Sequence, residues 1–179
     1  MSIDQVSRGI LLRIARGAID AAVRSAPGPA FEDAPILHEH RGVFVTLRRA
    51  GHLRGCIGRT EPGEPLSTLL PAMAVASATE DPRFSPVSPA ELPGLHIEIS
   101  LLTPPVPVAG PAGIEIGRHG LIVSARGRRG LLLPSVATDY GWSAEEFFGQ
   151  TCIKAGLPAD AWKQPGARVH AFETETIEE

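Results

Sequence analysis

Residues 95–101 read Leu-His-Ile-Glu-Ile-Ser-Leu, and apolar and polar side chains alternate along this stretch without interruption. Alternation with a period of two is the pattern of a β-strand, because successive side chains point to opposite faces of a sheet. The apolar face predicts burial in a core, and the face with His96, Glu98 and Ser100 predicts polar surroundings. We predict the rest of the fold outward from this strand.

Further strands and helices are predicted on both sides of it. Apolar residues three and four apart predict helices over 4–25 and 65–79. A Ser143–Glu146 capping box predicts another helix, which ends at Gly156. Because strands come in adjacent runs rather than in strict alternation with helices, we predict an α+β fold with a mainly antiparallel sheet and flanking helices. The other predicted strands are 42–49, 53–58, 120–125, 130–134 and 168–176, with 120–125 and 130–134 paired as a hairpin joined by Arg126–Arg129.

The composition is that of a compact globular protein. Of 179 residues 43% are hydrophobic, and 17 basic against 20 acidic side chains give a net charge of −3. This balance argues against a nucleic-acid partner, which needs a basic face for its phosphates. The sequence contains no run of about 18 apolar residues, so we predict no membrane span. Two cysteines are too few for a disulfide scaffold, and the N-terminus lacks the order of a signal peptide, so we expect a cytoplasmic protein.

The string Leu53-Arg54-Gly55-Cys56-Ile57-Gly58 is the most unusual one in the chain. Glycines around a thiol permit special backbone angles and let a ligand approach the main chain. Alternation along a strand places Arg54 and Cys56 on one face, where the guanidinium would favour the nucleophilic thiolate. The alternative is a small apolar residue packed where a strand leaves the sheet, as free cysteines often are.

The second string is Glu80-Asp81-Pro82-Arg83-Phe84. A residue before proline favours an extended conformation, which predicts that the Asp81 carboxylate lies at the corner of a loop. Asp81 and Arg83 either orient a polar substrate or pair with each other to fix the loop.

The histidines offer two further hypotheses. His119 lies in the loop Gly117-Arg118-His119-Gly120, where an imidazole can serve as an acid, a base or a thiol partner. His38 and His40 alternate as on a strand and, with His52, suggest a metal site, although nothing in the sequence brings His52 to the pair. An ordinary solvated segment is the favoured interpretation of these three, and we predict no metal. Since phosphate-binding glycine loops, HExxH and CxxC motifs are absent, we predict no cofactor.

Taken in order, several strings resemble the AMMECR domain family, whose hallmark is LRGCIG at 53–58. The match covers about residues 5–177 of a single domain spanning 1–179. It rests on GVFVTL (42–47), LRGCIG (53–58), DPRF (81–84), ELPGLHIEISLLTPP (91–105), GRHGLIV (117–123), RRGLLLPSVA (128–137) and TCIKAGLPADAW (151–162).

The resemblance implies an α+β fold of two unequal lobes with a cleft between them near LRGCIG. Transferred motif by motif, it places Arg54, Gly55, Cys56, Asp81, Arg83 and His119 at that cleft. It also implies two partners, a Memo-like protein and a radical-SAM protein of the AmmeMemoRadiSam system. Many relatives carry glutamine where this chain has Ser135, so a fixed role for that position is not implied. The family brings no established reaction.

Two functions from different classes follow. In the first, Cys56 performs thiol chemistry on a small molecule or binds it, with Cys56 as nucleophile, Arg54 as its electrostatic support and His119 as proton acceptor. Asp81 and Arg83 then hold the substrate. In the second, the chain is a non-catalytic adaptor that docks the two partners through its proline-rich loops. The sequence leaves open whether the protein is an enzyme.

Overall fold

The structure is a computed structural model that describes residues 3–28, 30–61 and 63–179. The chain divides into two compact units. Unit 1 comprises Met1–Leu102 with Glu175–Glu179, and unit 2 comprises Thr103–Thr174. Unit 1 contains α1 (Gln5–Val23), β1 (Val43–Arg49), β2 (His52–Arg59), α2 (Leu66–Thr79) and β3 (Leu95–Leu102). Unit 2 contains β4 (Val106–Pro107), β5 (His119–Ala125), β6 (Arg128–Leu132), α3 (Pro134–Tyr140) and α4 (Ala144–Lys154), and β7 (Arg168–Glu178) contributes residues to both units.

In unit 1, β1 lies between β2 and β3 and pairs antiparallel with each. The predicted alternation of β3 is confirmed, because its apolar positions are buried and His96, Glu98 and Ser100 are half-buried on the other face. Helices α1 and α2 share a core cluster with the buried face of the sheet. Full burial of each large aliphatic side chain contributes about 1.5–3 kcal/mol. The buried strand residues are Val43, Val45, Leu47, Leu95, Ile97, Ile99 and Leu101.

The helices of unit 1 begin and end near the predicted residues. Asp4 caps α1, since its carboxylate accepts the backbone N–H groups of Val6 and Ser7. Helix α2 starts directly after Pro65 and buries Leu66, Leu69 and Leu70 completely or almost so. The turn between β1 and β2 consists of Ala50 and Gly51, both at positive φ, as a two-residue hairpin turn requires.

In unit 2, β5 pairs antiparallel with β6 and with β7, and β4 pairs with β7. The predicted β5–β6 hairpin is present, but the prediction of its turn was wrong. Ala125 pairs with Arg128, so only Arg126 and Gly127, with φ of 51° and 71°, form the connection. The second arm ends at Leu132, because Pro134 begins helix α3, which the sequence analysis did not predict.

Helix α4 packs against the core of unit 2. The Ser143–Glu146 capping box is present in full, and Gly156 takes the left-handed conformation with φ of 73°. Phe147, Phe148 and Cys152 are completely buried against strand residues of β5 and β7.

These elements confirm the predicted α+β class with antiparallel pairing and flanking helices. Within the described residues, none of the helices combines the length and the apolar character that crossing a bilayer requires. The cleft that the resemblance implies between the lobes stays a prediction.

Candidate functional site

Cys56 lies on β2, at the edge of the unit 1 sheet, and is half-buried. Its partner on β1 is Thr46, whose partner on β3 is Glu98. Directly opposed residues of antiparallel strands share one face. A thiol, a hydroxyl and a carboxylate therefore form one row across three strands, on the face opposite the core, and we call Cys56, Thr46 and Glu98 the thiol row. The Thr46 hydroxyl donates a hydrogen bond to Cys56 Sγ over 3.3 Å.

The glycines beside Cys56 have a packing role that the sequence analysis did not foresee. Neither has a positive φ. A Cβ on Gly55 would lie 2.1 Å from the backbone oxygen of Ser77 in α2, and one on Gly58 would lie 2.4 Å from the Phe44 ring. The explanation by unusual backbone angles was wrong, because helix α2 and the Phe44 ring require these glycines. The side of Gly55 on which a Cβ would stand faces α2.

Asp81 completes the free edge of β2. Its Oδ2 accepts the backbone N–H of Cys56 over 2.8 Å, and its Oδ1 accepts the backbone N–H of Arg83 over 3.1 Å. The side chain is only 3% exposed. The Arg83 guanidinium, together with the backbone N–H groups, holds the pKa of Asp81 far below its usual range, although burial opposes the shift. A charged Asp81 thereby satisfies an edge-strand donor that would otherwise be open to another chain.

Arg83 joins Asp81 to the cysteine. Its Nε and Nη2 donate to the two Asp81 oxygens over 2.9 and 2.7 Å, and Nη2 also reaches the Cys56 carbonyl at 3.4 Å. The pairing of Asp81 with Arg83, one of the two alternatives from the sequence, is the one present. The hydrogen bond to Asp81 and the charge of that carboxylate raise the pKa of Arg83, although burial opposes the shift.

The structure directs the Arg54 guanidinium to Glu91 rather than to Cys56. Arg48 pairs with Leu53 and Leu47 with Gly55, so Arg54 lies in a bulge that interrupts the alternation. Its guanidinium instead forms a two-point ion pair with Glu91, with Nε to Oε1 at 2.8 Å and Nη2 to Oε2 at 3.3 Å.

The Arg54–Glu91 pair forms a second polar cluster beside the thiol. Arg54, followed by the backbone and hydroxyl of Ser88, lowers the pKa of Glu91 to about 2. The Phe84 ring lies between the two clusters, with the Arg83 guanidinium carbon 5.5 Å and that of Arg54 5.9 Å from its centroid. Such distances permit cation–π attraction.

His119 belongs to unit 2, at the start of β5. Its Nδ1 accepts the backbone N–H of Glu115 over 2.8 Å, and its Nε2 lies 3.7 Å from a Glu173 carboxylate oxygen. The neutral ring in this arrangement carries its proton on Nε2. Its one lone pair is then in use, so a role as proton acceptor requires the bond to Glu115 to break first.

The three histidines of the metal hypothesis do not form a ligand set. His38 instead contacts the Asp33 carboxylate at 2.9 Å. Across residues 3–28, 30–61 and 63–179, no three His, Cys, Asp or Glu side chains are grouped as metal ligands. Ser135, for which the family resemblance implies no fixed role, is exposed in the first turn of α3.

The structure brings Arg54, Gly55, Cys56, Asp81 and Arg83 together within unit 1. Sequence reasoning missed Thr46, Phe84 and Glu91 as parts of this site and placed Glu98 only on the polar face of its strand. One sequence feature could have identified Thr46. It lies between the apolar residues Val45 and Leu47 on a strand, so its hydroxyl points to the face opposite the core. No sequence feature connects Glu91 with Arg54, because the two are separated by 37 residues.

An antiparallel sheet backed by two helices makes unit 1 an α+β structure. The family model AMMECR1 matches residues 12–177, so the chain belongs to the AMMECR1 family. A protein of Methanothermobacter thermautotrophicus is 48% identical over 94% of this chain and 92% of its own length. One from Thermococcus gammatolerans is 46% identical over 94% and 88%. The crystal structure of an uncharacterized Pyrococcus horikoshii protein, PH0010, is 42% identical, with a TM-score of 0.79 over 94% of this chain and 89% of that one.

Proposed function

We propose that this protein acts on a small anionic molecule through the thiolate of Cys56. The observation that carries the proposal is the thiol row, in which Thr46 donates to Cys56 Sγ and Glu98 lies on the far side of Thr46. A thiol needs a hydrogen-bond donor and nearby positive charge to act as a nucleophile or as a ligand-binding anion. Thr46 supplies the donor and Arg83 supplies the charge.

The substrate class follows from the side chains around Cys56. The Arg83 side chain is 54% exposed. Its bonds to Asp81 and to the Cys56 carbonyl use Nε and Nη2, and Nη1 takes part in none of them. A guanidinium that is fixed on one side and open on the other suits a carboxylate or phosphate. The Phe84 ring between the two guanidiniums offers an apolar surface for the rest of the molecule.

The roles in this proposal differ from those suggested by the sequence alone. Arg83 takes the electrostatic role that Arg54 was expected to have, and the Arg54–Glu91 pair holds the bulge in place. Glu98, ion-paired with Arg48 at 3.5 Å, is a carboxylate on the same face as the thiol but two strands away, and it is our candidate acceptor of the thiol proton by way of solvent. His119 stays a second candidate, since breaking its bond to Glu115 frees a lone pair.

The proposal is tested in a strain that lacks the gene, complemented with single variants. We expect the wild type and Cys152→Ala to restore the same metabolite profile, because Cys152 is buried in the other unit. Cys56→Ser should give the same metabolite profile as the deletion strain, and Thr46→Val should restore the wild-type profile in part. Full restoration by Cys56→Ser would refute a function of the thiol.

An adaptor function is the second candidate, and one observation favours it. Val106, in the proline-rich stretch that begins unit 2, is 56% exposed although it is apolar. Exposed apolar patches mark contacts with partner proteins, and in this candidate function Val106 of β4 belongs to such a patch. The partners would be the Memo-like and radical-SAM proteins that the family resemblance suggests.

A pull-down with these two proteins separates the candidates. Equal recovery by the wild type and Cys56→Ser, with loss of recovery for Val106→Asp, would favour the adaptor. Both cysteines are free thiols, which agrees with the reducing, cytoplasmic compartment included in the proposal. No cofactor is part of either candidate.

A further inference from the structure

The outward face of the unit 2 sheet carries a row of residues that the proposed function does not use. Ser124 of β5 is paired with Arg129 of β6 on one side and with Arg168 of β7 on the other. Two residues earlier on β5, and on the same face, Ile122 is paired with His170 of β7. Directly opposed residues share a face and have Cβ atoms about 4.5–5.5 Å apart. Two guanidiniums, an imidazole and a hydroxyl are therefore presented on the same side of the sheet.

These side chains line a pocket of about 290 Å³, together with Ile122 and Pro105. Ile122 is only 2% exposed and forms its floor, whereas Arg129 and Arg168 are exposed at the rim. Within the described part of the chain, the side chains of Arg168, His170 and Ser124 form no hydrogen bond or ion pair with another residue. Their donors are therefore free to bind a ligand.

The charge of the pocket is local to this face. The chain as a whole has a net charge of −3, whereas none of the described residues that line the pocket is acidic. Arg168 lies directly opposite Ser124, so a guanidinium and a hydroxyl are adjacent on this face. A guanidinium offers paired N–H groups that match two oxygens of a phosphate, and the Ser124 hydroxyl adds a donor at the centre of the row.

We propose that this pocket binds the phosphate group of a small phosphomonoester. Arg168 and Ser124 hold the phosphate oxygens, His170 donates from the adjacent position, and Ile122 and Pro105 contact the first carbon atoms of the ester. The volume is at the lower end of the range of about 300–1,000 Å³ for drug-sized ligands, which restricts the ester to a small one. This site uses no residue of the thiol row, so it stands or falls independently of the proposed function.

The test measures binding of glycerol 3-phosphate and of inorganic phosphate to the full chain by isothermal titration calorimetry at constant ionic strength, with glycerol as the uncharged control. We expect saturable binding of one phosphate group per chain and no binding of glycerol. Tighter binding of the ester than of phosphate would show that the carbon atoms contribute, and equal binding would reduce the ligand to phosphate itself.

Two variants and a matched control assign the site. Arg168→Gln should weaken binding about tenfold or more, because it removes charge-assisted hydrogen bonds, and Ser124→Ala should weaken it several-fold. Arg126→Gln removes the same charge from the tip of the β5–β6 hairpin, outside the pocket, and should bind as the wild type does. Circular dichroism of each variant confirms folding. No saturable binding to the wild type, or equal weakening by Arg126→Gln and Arg168→Gln, would overturn the proposal.

Discussion

Asp81→Asn tests whether the buried carboxylate fixes the edge strand that carries Cys56. Asp81 accepts the N–H of Cys56, the N–H of Arg83 and two bonds from the Arg83 guanidinium. Hydrogen bonds to charged groups contribute about 1.5–3 kcal/mol each. An asparagine keeps one acceptor oxygen for these donors. The Arg83 side chain is 54% exposed, so its guanidinium is partly hydrated once the ion pair is gone. The substitution therefore removes only part of the summed contribution of the four hydrogen bonds. We expect the free energy of unfolding at pH 7 to fall by about 2–3 kcal/mol.

The pH dependence gives this prediction a sign. Because the folded state lowers the pKa of Asp81, the carboxylate stabilises the fold above its unfolded pKa of about 3.9. That stabilisation is lost as the pH falls below this value toward the folded pKa. The difference in unfolding free energy between wild type and Asp81→Asn should therefore be constant above pH 5 and shrink by about 1 kcal/mol between pH 5 and pH 3.

Urea unfolding followed by circular dichroism at pH 7, 5, 4 and 3 measures both effects. Glu64→Gln is the matched control, since Glu64 is half-exposed and lies 3.9 Å from exposed Arg59. This control should change stability by less than about 1 kcal/mol. If Asp81→Asn destabilised no more than Glu64→Gln, or if its effect were the same at pH 3 and pH 7, Asp81 would not hold the strand edge as a carboxylate.

Three further changes probe the surroundings of the site and the core of unit 2. Gly55→Ala should prevent stable folding or lower the melting temperature by many degrees, because its Cβ would meet the Ser77 carbonyl at 2.1 Å; a thermal melt with wild-type stability would contradict this. Glu91→Gln should cost about 2 kcal/mol at neutral pH in urea unfolding. That cost should decrease as the pH falls from about 4.5 toward the folded pKa of about 2, and a cost that rises in acid would exclude the Arg54–Glu91 pair as its cause. Ser143→Ala should cost about 1 kcal/mol in the same assay through loss of the α4 capping box, and a neutral result would mean that the cap is replaced by solvent.

The sequence predicted the elements whose patterns are long and regular. The alternation at 95–101 has the right faces, and the capping residues Asp4 and Ser143 mark the true starts of α1 and α4. Helix α3 escaped prediction because its seven residues are too few to show a helical period. The β5–β6 turn was predicted too long, since nothing in four polar residues shows that the ladder continues through Arg128.

The members of the candidate site were predicted in part, and their connections were not. The motifs identified Cys56, Asp81 and Arg83, and these are neighbours in space. The partner of Arg54 depends on a bulge and on a residue far along the chain, and neither can be derived from local spacing. The thiol row likewise depends on the register of β1 between two other strands, which only the folded structure fixes.

The central claim is that the protein acts through the thiol of Cys56, with Thr46 as the hydrogen-bond donor to its sulfur. The most direct measurement is the rate of iodoacetamide alkylation of Cys56 at pH 7, followed by mass spectrometry in the native chain and in urea. We expect Cys56 to react faster in the native chain than in urea, buried Cys152 to be protected, and Thr46→Val to slow native Cys56 about five- to tenfold, the equivalent of one hydrogen bond of about 1 kcal/mol. A native rate no higher than the rate in urea, unchanged by Thr46→Val, would contradict the claim and leave Cys56 a structural residue.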